Sequence, residues 1–96
     1  MNIKQIKITL VKEKPLLQKK FHVKTIGVFG SYAREEQTSK SDIDILVSFS
    51  KPKFDSYMNL KFLLEKRFKR KVDLVMEKTL KPGLEFVKKE AKYAEL

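Results

Sequence analysis

The sequence SDIDILVSF, residues 41–49, decides the fold of this chain. Successive side chains of an extended strand point to opposite faces, so residues two apart share a face. Ile43, Ile45 and Val47 therefore form one apolar face, and the two aspartates lie on the other. This alternation predicts a strand over residues 42–49 that has one buried face and carries acids on the opposite face.

Hydrophobic spacing predicts the elements on either side of this strand. They are a helix over 2–12, a short helical piece over 16–21 after Pro15, strands over 24–29 and 71–76, and helices over 31–36 and 55–69. Pro52 predicts a break in the chain. A last helix is predicted after Pro82-Gly83, with a buried stripe of Leu84, Val87, Ala91 and Ala94. Alternating helices and strands are typical of α/β folds. We therefore expect an α/β (α+β) fold, a small mixed sheet flanked by helices, in a single domain over residues 1–96.

Composition restricts the class of protein. The chain is 42% hydrophobic and 35% charged, as a globular domain is. It has no cysteine, which excludes disulfides, and its N-terminus lacks the apolar core of a signal peptide. We expect a cytoplasmic protein without a membrane partner. The net charge of +10 favours an anionic partner, namely a nucleotide, a nucleic acid or an acidic protein, although scattered lysines also serve solubility.

A possible phosphate-binding turn follows the predicted strand over 24–29. Gly30 and Ser31 lie where that strand meets a helix. Glycine lets the backbone approach a ligand closely, and a helix N-terminus offers free N–H groups to an anion. The turn predicts a triphosphate site, although Gly-Ser is also common in ordinary turns.

Three aspartates form the second candidate feature. Asp42 and Asp44 share one strand face, about 6–7 Å apart along the chain. Asp73 lies in the strand over 71–76, and if the two strands are neighbours it approaches the pair to within about 5 Å. Carboxylate oxygens so placed can hold one or two Mg²⁺ ions, whereas a solvated strand face is the simpler alternative. Together with the Gly-Ser turn, they predict two-metal displacement at phosphorus, in which Asp73 binds a second metal or takes the proton of the attacking hydroxyl.

The sequences GSYAR (residues 30–34), SDIDILV (41–47) and VDLV (72–75) resemble the DNA polymerase β-like nucleotidyltransferase superfamily. Within it, the chain is most similar to the minimal nucleotidyltransferases, the MntA-like antitoxins of bacteria and archaea. The resemblance implies a polymerase β-like palm and transfer of AMP from ATP onto a tyrosine of a partner HEPN-domain RNase toxin.

The resemblance also assigns roles to individual residues of this chain. Gly30 and Ser31 would contact phosphate, and Asp42 and Asp44 would bind magnesium. Asp73 would be the third acid.

The chain departs from the family pattern at two positions. The family usually has glycine after the motif arginine, but here Arg34 is followed by Glu35 and Glu36. The helix before the third strand often ends in glycine, but here the sequence is FKRK, residues 68–71. A left-handed helix cap without glycine costs about 1 kcal/mol, unless the helix ends differently.

Several other residues have both a functional and a structural interpretation. Arg34 is a candidate for the triphosphate or for an ion pair with a neighbouring acid. Tyr32 is a candidate for stacking on a base, but local packing is favoured. The basic run over 66–71 invites a nucleic-acid interpretation, but a solvated helix face is favoured. His22 has no second histidine or cysteine with which to complete a zinc site.

Three functions therefore remain open. The favoured one is an Mg²⁺-dependent adenylyltransferase acting on a protein. The others are an antitoxin that neutralises its partner by binding alone, and a nucleotidyltransferase acting on RNA. The RNA alternative is less favoured because so short a chain lacks room for a domain that would hold RNA.

Overall fold

The computed structural model describes residues 1–51 and 53–96, so the predicted break at Pro52 lies outside the described residues. In chain order the elements are α1 (Ile3–Lys12), a π-helical turn (Leu16–Lys20), β1 (Val23–Phe29), α2 (Gly30–Ala33), β2 (Ile43–Phe49), α3 (Phe54–Phe68), β3 (Val72–Met76), a 3₁₀ turn (Glu77–Thr79), α4 (Phe86–Glu90) and β4 (Lys92–Tyr93). The predicted α/β architecture is confirmed. Among the helices of these residues, none is long and apolar enough to cross a membrane.

The four strands form one mixed sheet in the order β3-β2-β1-β4. β2 pairs antiparallel with β1 and parallel with β3. A parallel pair needs a crossover connection, and α3 supplies it. In this register Asp44 lies opposite Phe29 of β1 and opposite Asp73 of β3. The sheet therefore brings acids from two neighbouring strands side by side.

One face of the sheet, the buried face, carries Ile43, Ile45 and Val47 of β2, and none of the three has any exposed surface. The residues of α1 and α3 that share their hydrophobic cluster are Ile6, Leu10, Leu60, Leu64 and Phe68. The helices predicted over 2–12 and 55–69 are thus confirmed, and each packs into the core through residues at helical spacing. Because two helices cover it, this face holds most of the core.

The opposite face, the open face, carries Asp44 and Leu46 of β2. Leu46 forms a much smaller cluster with Val87 and Ala91, which α4 and its C-terminal boundary supply. α4 has only five residues. The open face is therefore thinly covered, and this leaves Asp44 half-buried.

The prediction for the last helix was partly wrong. Helix α4 ends at Glu90, and the chain then adds the short strand β4, which pairs with β1 through Gly27 and Val28. Ala94 is buried beyond the helix, with its N–H bonded to the Ile26 carbonyl at 2.9 Å. A two-residue strand is too short to show alternation, so the sequence could not reveal it.

Leu84 was also predicted wrongly, because it is 39% exposed rather than buried. It precedes the first residue of α4. Because Leu84 lies outside the helix, its spacing from Val87 does not place it on the buried face of α4. The buried stripe is reduced to Val87 and Ala91 on the helix side and Ala94 on the strand side.

Helix α2 is shorter than predicted, because Glu35 adopts a left-handed backbone with φ of 59°. The Glu35 N–H donates to the Tyr32 carbonyl, and the Glu36 N–H donates to the Ser31 carbonyl at 2.8 Å. These two bonds form a Schellman motif, whose left-handed position favours glycine. The glycine that the family usually has after the motif arginine would therefore occupy this left-handed position, where Glu35 is strained.

Helix α3 ends in the same conformation, with Lys69 at φ of 55°. The left-handed cap that the sequence raised as one alternative is thus present. The Lys69 N–H donates to the Glu65 carbonyl, and the Glu65 side chain accepts the Val72 N–H at 3.0 Å. Glu65 therefore links the end of α3 to the beginning of β3.

Candidate active site

Gly30 ends β1 and begins α2 with φ of 70°, a conformation that L side chains rarely adopt. A Cβ at this position would lie 2.0 Å from Asp44 Oδ2. Glycine is thus required both by the backbone conformation and by the carboxylate packed against it. The close approach joins the predicted phosphate turn to the predicted metal acids.

Asp44 is the most strongly perturbed acid of the site. Burial, followed by the charges of Asp73 and Asp42, raises its pKa to about 6. Arg34 acts in the opposite direction, and Glu90 adds a smaller upward effect. Burial and the neighbouring carboxylates thus both disfavour the charged form of Asp44. A divalent cation beside it would favour that form.

The three predicted acids differ in exposure. Asp44 is half-buried, whereas Asp42 precedes β2 and is exposed, and Asp73 on β3 is exposed as well. Because Asp44 and Asp73 are paired in register, neighbouring strands place them about 5 Å apart. The predicted pairing of the Asp44 and Asp73 strands is therefore present in the sheet.

Residues 1–51 and 53–96 contain no group of three or more acidic, histidine or cysteine side chains that could hold a metal ion, so the predicted convergence of all three acids is not seen there. Mg²⁺ is usually bound by one or two carboxylates and completes its shell with water and substrate phosphates. The donor chemistry of Asp42, Asp44 and Asp73 suits that ion. The remaining ligands would have to arrive with the substrate.

Glu90 is a site residue that sequence reasoning missed. Its Oε1 accepts the Gly30 N–H at 2.7 Å and an Arg34 Nη1 hydrogen at 2.7 Å. The Gly30 N–H, expected to face phosphate, thus already has a partner, so Gly30 contributes space rather than a donor. No sequence pattern indicated this pairing, because Glu90 lies sixty residues after Gly30 on a helix with no motif of its own.

Ser31 and Arg34 are the remaining donors of the turn. Ser31 is half-buried, and in the described part of the chain its hydroxyl has no hydrogen-bond partner. The Arg34 side chain is 48% exposed and also lies near Glu36, with Nε 3.5 Å from Oε1. The sequence had allowed an ion pair with a neighbouring acid, yet the shortest contact is with distant Glu90. Arg34 is exposed and its charge acts on Asp44, and Ser31 directly follows Gly30, so both residues are candidates for binding an anion there.

The other candidates are structural. Tyr32 is 1% exposed, so its ring packs in the core and is not a stacking surface. Within the basic run, Phe68 is buried, Arg67 pairs with Glu13 of α1, and Arg70 donates to the Ser39 carbonyl at 2.9 Å. These contacts tie α3 to its neighbours.

Comparison with known proteins agrees with this geometry. The family described as polymerase beta, nucleotidyltransferase matches residues 12–92. Protein adenylyltransferase MntA of Thermococcus cleftensis is 40% identical over 85 residues, which cover 88% of this chain and 86% of that protein.

Two solved structures share the fold. A structure described as a minimal nucleotidyltransferase has a TM-score of 0.82 at 32% identity, and the match covers 96% of this chain and 95% of that one. A toxin–antitoxin structure with AMP-PNP has a TM-score of 0.71 at 25% identity, and the match covers 91% of this chain and 70% of that one. The predicted palm fold is confirmed.

Proposed function

The chain belongs to the polymerase β nucleotidyltransferase family, and we propose that it transfers AMP from ATP onto a protein hydroxyl, a tyrosine of a partner HEPN-domain RNase toxin. It would act as the antitoxin of that pair. As a family member the chain is a nucleotidyltransferase. The name of the Thermococcus cleftensis relative supports a protein acceptor, and the structural neighbour with AMP-PNP supports an adenine nucleotide.

The proposal rests on one observation above all. Asp44 lies against Gly30 at the beginning of α2 and opposite Asp73 in the neighbouring strand. A phosphate held by Ser31 and Arg34 would then lie beside a pair of carboxylates suited to Mg²⁺. Phosphoryl transfer depends mainly on such positioning and on charge neutralisation.

In the proposed reaction the acceptor hydroxyl oxygen bonds to the α-phosphorus of ATP. The bond between that phosphorus and the oxygen bridging to the β-phosphate breaks, and pyrophosphate leaves. Asp73 takes the hydroxyl proton, because it is exposed and can be reached by a large acceptor. Asp42 and Asp44 would hold Mg²⁺, two ions in the complete site, and the metal would neutralise charge at the phosphates.

The test is transfer of AMP, labelled at the α-phosphate of ATP, to a HEPN-domain RNase toxin that binds this chain. Wild type should label the partner only when Mg²⁺ is present. The double variant Asp42→Asn plus Asp44→Asn should lose at least 100-fold in rate, because it removes the proposed metal ligands. Asp55→Asn is the matched control, since Asp55 is an exposed acid at the beginning of α3. Equal transfer by the double variant would refute the assignment of the acids.

A second candidate function is neutralisation by binding alone. The strained Glu35 in place of glycine favours it, because a reshaped turn would weaken transfer without harming the fold. Co-expression with the HEPN protein separates the two functions. If the double variant of Asp42 and Asp44 still protects cells from the toxin, binding is sufficient. If protection is lost, transfer is required.

A further inference from the structure

We propose that Glu90 is a positioning residue that holds the phosphate turn and aims the Arg34 guanidinium at the triphosphate. This inference rests on the proposed function and assigns a role within it to α4. One carboxylate oxygen of Glu90 bonds to both the Gly30 N–H and Arg34 Nη1, at 2.7 Å each. The backbone of the turn and the side chain at its far end are therefore tied to a single atom.

The position of Glu90 is itself fixed on both sides. Before it, Val87 packs on Leu46 in the cluster of the open face, and Ala91 packs there directly after it. The chain then enters β4, which pairs with β1 at Gly27. Because the helix and the strand both anchor it, Glu90 can hold the turn rigidly.

Arg34 keeps donors for a ligand while Glu90 holds it. A guanidinium carries five N–H donors in a fixed plane. Glu90 takes one Nη1 hydrogen, and Glu36 lies 3.5 Å from Nε. Among residues 1–51 and 53–96, no contact takes the Nη2 hydrogens of this side chain, which is 48% exposed. Fixing one edge of the guanidinium orients the remaining edge and lowers the entropy lost when phosphate binds.

Glu90 could instead compete with phosphate for the same two donors. Its anchoring argues against this, because displacing it would require a side-chain rotation away from two short hydrogen bonds or a shift of α4 off Leu46. The Glu90 side chain is 20% exposed, which also limits its freedom. The two roles predict nucleotide affinity changes of opposite sign.

The first test is calorimetric titration of AMP-PNP with Mg²⁺ into wild type, Glu90→Gln and the matched control Glu95→Gln. Glu95 is an exposed acid after β4. Because a neutral amide oxygen accepts these two hydrogen bonds more weakly than a carboxylate does, Glu90→Gln should raise Kd about tenfold or more, whereas Glu95→Gln should leave it unchanged. Circular dichroism would show that both variants are folded.

A double-mutant cycle shows whether Glu90 acts through Arg34. Glu90→Gln should have little further effect on Kd in an Arg34→Lys background, because the guanidinium that it positions is gone. Tighter nucleotide binding by Glu90→Gln, an unchanged Kd, or full additivity with Arg34→Lys would each overturn the proposal and leave the proposed function standing. Wild type that binds no AMP-PNP with Mg²⁺ would overturn the proposed function, and this inference with it.

Amide hydrogen exchange tests the contact without nucleotide. The Gly30 N–H should be protected in wild type and should exchange at least tenfold faster in Glu90→Ala, because its acceptor is removed. An unprotected Gly30 amide in wild type would overturn the positioning role directly.

Discussion

The two faces of β2 differ in what covers them, although their residues alternate along one strand. On the buried face, Ile43, Ile45 and Val47 have no exposed surface and lie beneath α1 and α3. On the open face, Asp44 is half-buried beside Gly30, and the five-residue α4 covers this face through Val87. The two faces of one strand thus have different roles in this chain of 96 residues. One face supplies stability, and the other holds charges that a stable core would not tolerate.

The largest effect should come from opening a cavity in the buried face. Ile45→Ala removes a fully buried side chain between the sheet and its two helices, and such changes cost about 2–5 kcal/mol. The midpoint of urea unfolding measures the loss. Leu84→Ala is the control, because Leu84 is exposed and should lose under about 0.5 kcal/mol. Similar losses in the two variants would contradict the assignment of the core.

The second prediction concerns the contact between Gly30 and Asp44. Gly30→Ala adds left-handed strain and places a methyl group 2.0 Å from Asp44 Oδ2, so it should cost about 2–3 kcal/mol. Gly83→Ala is the matched control, since Gly83 also has positive φ but no atom lies within 4 Å of its added Cβ. The control should show strain alone, and thermal unfolding measures both.

Testing Gly30→Ala in a protein that already carries Asp44→Ala identifies the source of the extra loss of stability. Removing the carboxylate with Asp44→Ala should relieve part of the Gly30→Ala penalty, because the clash is then gone. Equal penalties at Gly30 and Gly83 would mean that the carboxylate does not lie against the turn.

The third prediction follows from the pKa of Asp44, which is raised from 3.8 to about 6 in the metal-free fold. Between these values the folded protein binds a proton more tightly than the unfolded chain does. The stabilising effect of the protonated form is thus fully present below pH 3.8 and is lost as pH rises through 6. With allowance for partial exposure, Asp44→Asn should raise the free energy of unfolding at neutral pH by about 1 kcal/mol.

Urea unfolding with a chelator present, at pH 4 and pH 7, measures this effect. Wild type should lose stability relative to Asp44→Asn between the two pH values. Asp55→Asn, an exposed acid on α3, should show no such gain. A variant less stable than wild type at pH 7 would mean that the open face does not carry an unfavourable charge.

The smallest expected effects lie at the two strained helix ends, Lys69 after α3 and Glu35 after α2. Lys69→Gly and Glu35→Gly relieve left-handed strain at φ of 55° and 59°, and each should gain about 0.5–1 kcal/mol. Lys66→Gly, inside α3, should lose about 1 kcal/mol because glycine weakens a helix interior. Thermal unfolding measures all three. A loss at Lys69 or Glu35 would show that their side chains stabilise the fold by more than the strain costs.

The elements that repeat a pattern could be predicted from the sequence, and those that depend on a distant partner could not. The alternation of β2 and the stripe of α3 each report local geometry, and the structure confirms both. β4 and Glu90 depend on β1 and the Gly30 turn, which lie far away in sequence. Leu84 was misplaced because helical spacing does not show where a helix begins. The three acids formed a recognisable motif, but the half-burial of Asp44 and its place opposite Asp73 depend on the order of the strands.

The central claim is that Asp42 and Asp44 form a nucleotide site that requires Mg²⁺. Calorimetric titration of ATP into wild type, with and without Mg²⁺, and into Asp42→Asn plus Asp44→Asn tests it most directly. Wild type should bind ATP only when Mg²⁺ is present, and the folded double variant should lose that binding. Metal-independent binding, or equal binding by the double variant, would contradict it.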